Sequence, residues 1–195
     1  MKIEPNQSTI KKVMKQLEPK KQKVVLRRTV NKTSAKAKTS AKKSIRQDYR
    51  IKARDVDIKL DRAKGNRFFA ILRAAYKPLR LTKFFVRSMK AGLFVEIKRG
   101  SRKKLQNAFF GQPSGKDWGV FGQKKQVSSS QTLLFQRKKT SGKYQGYPLT
   151  VPSGPSIGAL LKREETKKAV ETSVNENFHR IFAHELEYSM KKKSS

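Results

Sequence analysis

The sequence predicts an α+β fold with N-terminal basic helices, a central antiparallel β-sheet and a long C-terminal amphipathic helix. Three observations predict it. Residues 20–49 contain no Pro or Gly and are rich in Ala, Lys, Arg and Gln, which favour helix. Between residues 68 and 149, short aromatic and β-branched runs alternate with turn-forming residues. From about Ser156 to Lys192, apolar residues recur at helical spacing.

Each element follows in order. Ile10, Val13, Met14 and Leu17 mark a short helix over residues 7–18, with Ser8 as N-cap and Pro19 separating it from the next element. In the 20–49 helix, Leu26, Val30, Ala37, Ala41 and Ile45 share one face. Arg28, Lys32, Lys36, Lys43 and Arg50 lie roughly opposite. Small apolar residues allow close packing on one side, and the basic side can follow phosphates. The same residues also suit a surface helix bathed in counterions, and the Ala/Ser/Thr/Lys run at 33–44 need not be ordered alone. Ile51, Val56, Ile58 and Leu60 suggest a small amphipathic turn or helix, ended before Gly65.

Strands are expected at 68–72, from Leu79 to Val86, and at 93–97, punctuated by Pro78 and Gly92. In the third, Phe94 and Glu96 alternate with Leu93, Val95 and Ile97, the pattern of one buried face. Residues 101–113 read as basic, then aromatic. Trp118–Gly122 suits a strand, 124–131 a loop tip, and Leu133–Phe135 another strand. Thr140–Lys143 suits a hairpin turn, and Tyr147–Leu149 the exit from the sheet. Pro152, Gly154, Pro155 and Gly158 indicate a linker or bend. The closing helix carries Val170, Val174, Phe178, Ile181, Phe182, Leu186 and Met190 as one stripe, destined for the core or a subunit interface. The expected layout is an extension at 1–20, an α+β core at 21–151, and the bend and helix at 152–195.

Charge narrows the function. The 195 residues carry 48 Lys+Arg and 14 Asp+Glu, a net of +34. Residues 1–150 hold 40 basic and 8 acidic groups, and residues 151–195 hold 8 and 6. A compact chain offsets such self-repulsion with a polyanion or a partner. Arg28, Lys32, Lys36, Lys43, Arg46, Arg50, Arg102, Lys103 and Lys104 are the candidate nucleic-acid contacts, made to backbone phosphates. The absence of a lipidation motif and of a long apolar segment argues against a membrane. Met1-Lys2-Ile3-Glu4-Pro5 lacks the apolar run of a signal peptide, so assembly in a cytoplasm is expected.

Catalytic and metal chemistry find little support. The chain has no Cys, which excludes disulfides and thiolate zinc sites. His179 and His184, five residues apart, share no helix face. Asp55, Asp57 and Asp61 could hold a nuclease metal, but Arg54, Lys59 and Arg62 are interleaved and supply local charge compensation. No phosphate-binding glycine loop is present, and Phe68-Phe69 and Phe84-Phe85 miss the RNA-recognition signature. No catalytic residue and no cofactor are expected.

Three stretches carry a likeness. The first is Leu26-Arg27-Arg28-Thr29-Val30-Asn31-Lys32 on to Ile45-Arg46, then Ile51-Lys52-Ala53-Arg54-Asp55-Val56. The second runs from Val95-Glu96-Ile97-Lys98-Arg99-Gly100 through Lys104-Leu105 to Ala108-Phe109. The third is Arg137-Lys138-Lys139-Thr140-Ser141-Gly142-Lys143, Tyr147-Pro148-Leu149, the Pro-rich bend and the closing helix. In this order, across most of residues 22–190, the chain resembles the minor tail protein Z family of lambda-like tailed phages. It departs from that pattern in its first 20 residues and at 111–131. The resemblance implies a non-enzymatic virion subunit in tail completion, at the head-proximal end of the tail. It implies a ring of copies, hexameric by analogy with a tail tube, beside tail tube or tail terminator and head–tail connector proteins. Basic groups lining the DNA channel would contact backbone without reading bases. The competing readings are a general nucleic-acid-binding accessory protein, ribosomal or chromatin-like, and a nuclease built on Asp55–Asp61.

Overall fold

The computed structural model describes residues 2–3, 18–111, 133–137 and 149–191. The helix expected at 7–18 (its last residue apart), the 118–122 strand, the 124–131 loop and the 140–143 turn lie outside the described residues. The chain is α+β and divides into two compact units. One comprises residues 1–45, 56–76 and 157–195, the other residues 46–55 and 77–156.

The first unit is built on α1 (Pro19–Asp48), which belongs to it as far as Ile45. Pro19 opens the helix, where a missing N–H removes no hydrogen bond. Val25, Val30, Ala37, Ala41 and Ile45 are buried, and Thr29, Thr33 and Ser34 are buried among them. The Thr29 hydroxyl donates to the Val25 carbonyl at 2.9 Å, which satisfies it without leaving the helix.

α1 buries two lines. Val30 packs with Ala63, Ala70 and Leu60, against a sheet of order β1-β3-β2. Its strands are β1 (Lys2–Ile3), β2 (Ile58–Asp61) and β3 (Ala70–Ala74). All pair antiparallel, Ile58 opposite Ala74 and Lys2 opposite Ile71. Asn31 clamps the turn after β2, donating to the Ala63 carbonyl at 3.2 Å and accepting from its N–H at 2.8 Å. Val25 and Leu26 pack against Phe178 and Phe182 of the C-terminal helix. Farther along, the Ser40 hydroxyl donates to the Ala169 carbonyl at 2.8 Å, a contact that requires the small residues flanking it.

The single helix expected from Ser156 to Lys192 is two: α2 (Ile157–Leu161) and α3 (Glu164–Lys191). Arg163 N–H turns back onto the Leu160 carbonyl at 3.3 Å, closing the first helix in a tighter turn. Glu164 and Glu165 then start the second, where acidic groups favour a helix N-terminus. Gly158 N–H donates to the Ala75 carbonyl at 2.9 Å. A Cβ on Gly158 would lie 3.0 Å from that oxygen and 3.1 Å from the Tyr76 ring, so a side chain would push α2 away.

The second unit holds small antiparallel sheets rather than one central sheet. In order they are β4 (Leu79–Arg80) with β11 (Ser153–Gly154), β5 (Phe85–Met89) with β6 (Gly92–Glu96) and β7 (Arg102–Leu105), and β8 (Ala108–Gly111) with β9 (Leu133–Arg137) and β10 (Leu149–Thr150). The strand expected from Leu79 to Val86 is interrupted by a 3-10 turn at Leu81–Lys83, because Leu81 turns into the core and Phe84 N–H bonds its carbonyl at 3.0 Å. The Pro/Gly stretch at 152–158 is not a free linker. Ser153 and Gly154 pair with Arg80 and Leu79. Gly154 is required there, since a Cβ would sit 2.6 Å from the buried Phe84 ring. Leu149 remains in the sheet, opposite Arg137, rather than leaving it. Residues 51–60 divide into a 3-10 turn at Ala53–Asp55 and strand β2, so only the turn of the expected turn or helix forms. Phe109 and Phe135 face each other across β8 and β9 with ring centroids 5.8 Å apart.

Candidate nucleic-acid interface

On the first unit, Arg28, Lys32, Lys36 and Lys43 all lie on the exposed side of α1. At 3.6 residues per turn they fall within an arc of roughly 80° along a helix that rises about 1.5 Å per residue. They do not form a row of equivalent free cations. Lys32 forms an ion pair with Glu185 of α3, and the Arg28 guanidinium lies 3.9 Å from the same carboxylate. Glu185 is 3% exposed, whereas Arg28 and Lys32 keep about half their side-chain surface in solvent (49% and 56%). Lys36 donates to Asn177 at 2.8 Å. Lys43 is exposed and makes no ion pair among the described residues.

The α3 stripe explains this arrangement. Val170, Phe178 and Phe182 are buried, with the two rings 6.1 Å apart and parallel. Val174, Ile181 and Leu186 are half-buried. Glu185 sits inside the stripe, three residues after Phe182, so a carboxylate enters the helix–helix contact and draws α1 cations onto it. The buried stripe ends before Met190, which is 44% exposed beside Tyr188 at 51%. Arg28 also lies over the Tyr188 ring at 5.7 Å.

The second unit repeats the motif. Glu96 shares with Phe94 the strand face opposite Leu93, Val95 and Ile97, yet it is 5% exposed. It accepts from Gly100 N–H at 3.0 Å and from Arg102 at 3.3 Å, and Arg50 lies 3.6 Å away. The Gly100 hydrogen bond, then Arg102 and Arg50, hold its carboxyl below the ordinary glutamate value despite its burial. Arg50 and Arg102, far apart in sequence, therefore meet on one carboxylate. Lys103 and Lys104 are exposed on β7, and the Arg46 side chain is exposed while its carbonyl accepts from Arg99 at 3.0 Å. Sequence reasoning lacked the two buried carboxylates; for Glu185 the available signal was an acidic residue interrupting the apolar stripe.

Of the three candidate nuclease carboxylates, Asp57 is exposed and the other two are held in ion pairs. Asp55 pairs with Lys83 and Asp61 with Arg73, each at 2.7 Å. Those partners are distant in sequence, unlike the neighbouring Arg54, Lys59 and Arg62 expected to balance them. No cluster of three or more metal-ligating side chains occurs among the described residues. His179 and His184 are exposed, and His184 Nδ1 is 3.8 Å from Glu185. No described helix is long and apolar enough to cross a membrane.

A groove of about 750 Å³ opens on the first unit, where Leu72, Tyr76 and Leu161 form the apolar part and Lys162 lies 5.1 Å from the Tyr76 ring centroid. No sequence pattern marked it.

Neither a curated protein nor a solved structure matches the chain. A family model does: that of prophage minor tail protein Z, over residues 8–193.

Proposed function

Because this chain belongs to the prophage minor tail protein Z family and is thus a structural protein of the phage tail, we propose that it completes the tail at its head-proximal end. Several copies form a ring at the neck, between the tail tube or tail terminator and the head–tail connector. The ring contacts the passing DNA through its backbone, without sequence specificity and without catalysis. Its assembly takes place in the host cytoplasm before the virion is complete.

The observation that carries this reading is the distribution of charge. A net of +32 in residues 1–150 far exceeds what a protein needs for solubility. On α1, Arg28, Lys32, Lys36 and Lys43 run along one exposed ridge. A ridge of that kind follows phosphates and carries no means of reading bases. Asp55 and Asp61, each ion-paired, support a non-enzymatic role.

The test is electron microscopy of particles made when this gene is deleted, with the tagged wild-type protein located by gold labelling. Noninfectious tailed particles, with label at the top of the tail, are expected. Label at the distal tip, or infectious particles without the protein, would overturn the reading.

A further inference from the structure

The outward face of the β5-β6-β7 sheet carries one exposed and one half-buried aromatic ring among cations. Cross-strand pairs fix its membership, because residues directly opposite each other share a face. Phe85 lies opposite Glu96, which lies opposite Arg102; Arg87 lies opposite Phe94, which lies opposite Lys104. The other face bears Leu93 and Val95, both buried, and is the inward one. Phe85 is 39% exposed and Phe94 half-buried, while Arg87, Arg102 and Lys104 are exposed.

We propose that this face binds an unpaired nucleic-acid strand, with bases stacked on Phe85 and Phe94 and phosphates held by Arg87, Arg102 and Lys104. The inference rests on the proposed function only in taking nucleic acid as the polyanion. It adds a second mode of contact, distinct from the backbone contact of α1. A duplex offers phosphates and groove edges, and the flat faces of its bases are hidden in the stack. Aromatic rings on a sheet gain nothing from it. An unpaired strand offers both π faces and phosphates, which is the combination this sheet matches.

The local geometry supports the assignment. Phe85 and Phe94 are diagonal neighbours on adjacent strands, about 7–8 Å apart at the backbone. That is roughly twice the 3.4 Å base spacing along a strand, enough to seat one base against each ring. The Arg50 guanidinium lies over the Phe85 ring at 4.6 Å and covers one of its faces, so a base stacks on the ring's other face or on the guanidinium plane itself. Glu96, the carboxylate of this face, is buried and held by Gly100 N–H and two arginines, so its charge is outweighed and the face stays positive. Gly92 leaves the space that the Lys104 stem occupies, since a Cβ there would lie 3.3 Å from Lys104 Cε.

The experiment is fluorescence anisotropy of the full chain with a labelled (dT)20 strand and with a 20-base-pair duplex, at two salt concentrations. Phe85→Leu with Phe94→Leu removes the rings and keeps apolar volume, and thermal melting checks that the variant folds. (dT)20 affinity is expected to fall about tenfold or more per ring, with duplex affinity within twofold of wild type. A single Phe85→Trp variant provides a second readout, because a stacked base quenches its emission. Unchanged (dT)20 binding by the Leu variant with no Trp quenching overturns the inference and leaves backbone contact standing. Equal loss of strand and duplex overturns it too. Full competition by polyglutamate would assign the face to an acidic protein segment instead. Failure of the wild type to bind either probe would overturn both readings.

Discussion

Removing the cations that hold Glu185 should destabilise the first unit more than removing Glu185 itself. The asymmetry follows from burial. Glu185 is 3% exposed, so it cannot recover its hydration when its partners go. Lys32 and Arg28 are about half exposed and hydrate readily when the carboxylate goes. An unpaired charge left buried costs about 3–5 kcal/mol, whereas an exposed partner that loses its counter-ion costs about 1 kcal/mol or less. Lys32→Met alone leaves Arg28 at 3.9 Å, so its effect should resemble the loss of one charged hydrogen bond, about 1.5–3 kcal/mol. Lys32→Met with Arg28→Met should reach the 3–5 kcal/mol range given for a stranded buried charge, roughly. Glu185→Gln should cost about 1 kcal/mol, because the amide oxygen still accepts from Lys32. At a urea slope of about 2 kcal/mol/M, the double variant lowers the midpoint by roughly 1.5–2.5 M and Glu185→Gln by roughly 0.5 M. Urea titrations followed by far-UV circular dichroism measure both. A Glu185→Gln midpoint as low as that of the double variant, at unchanged slope, would refute the reasoning, since the carboxylate would then be stabilising in its own right.

Four other outcomes follow from the same geometry. Glu96→Gln should flatten the acid limb of the stability profile. The folded carboxyl lies below its ordinary 4.5, so its contribution is present above that value and lost as pH falls through the folded value; urea midpoints between pH 3 and 6, roughly, measure it. Gly154→Ala forces a Cβ against Phe84, at 2.6 Å, and should cost about 1–3 kcal/mol by the same titration. Phe178→Asp with Phe182→Asp breaks the packing on Val25 and should abolish folding or assembly, read by size-exclusion chromatography. Lys36→Glu with Lys43→Glu should weaken duplex binding and lower its salt slope by about 2 while leaving the melting temperature nearly unchanged, since neither side chain contacts Glu185.

The sequence made α1 legible because one physical signal, a long run free of Pro and Gly, extends over thirty residues. Its buried line of Val30, Ala37, Ala41 and Ile45 follows from helical spacing alone. The strands were legible as short apolar runs but not as sheets. Nothing in Leu79–Val86 announces that Leu81 turns inward and splits the run, because that depends on what lies beneath it. Ser153–Gly154 was hidden for the opposite reason. Its composition is that of a bend, and pairing with Leu79–Arg80, a long way back in the chain, decides its conformation. The division into units is likewise unreadable from composition, since each is assembled from separated segments.

The basic residues teach a narrower lesson about counting charge. Spacing placed Arg28, Lys32, Lys36 and Lys43 on one face, and they are on one face. Spacing could not say which of them are already engaged. Glu185 gathers two cations from a helix far back in the chain, Glu96 gathers one from far back and one from the next strand, and each is buried where an alternating or helical pattern would expect either an apolar or an exposed residue. A charge-reversal at Lys32 would therefore set a second carboxylate against the buried Glu185, and lost DNA contact would be confounded with lost stability. Lys43 makes no ion pair among the described residues, so its reversal tests the polyanion alone. The cations that help hold the fold and the cation that stands apart lie along the same helix, and separating them is what makes the basic ridge testable as an interface.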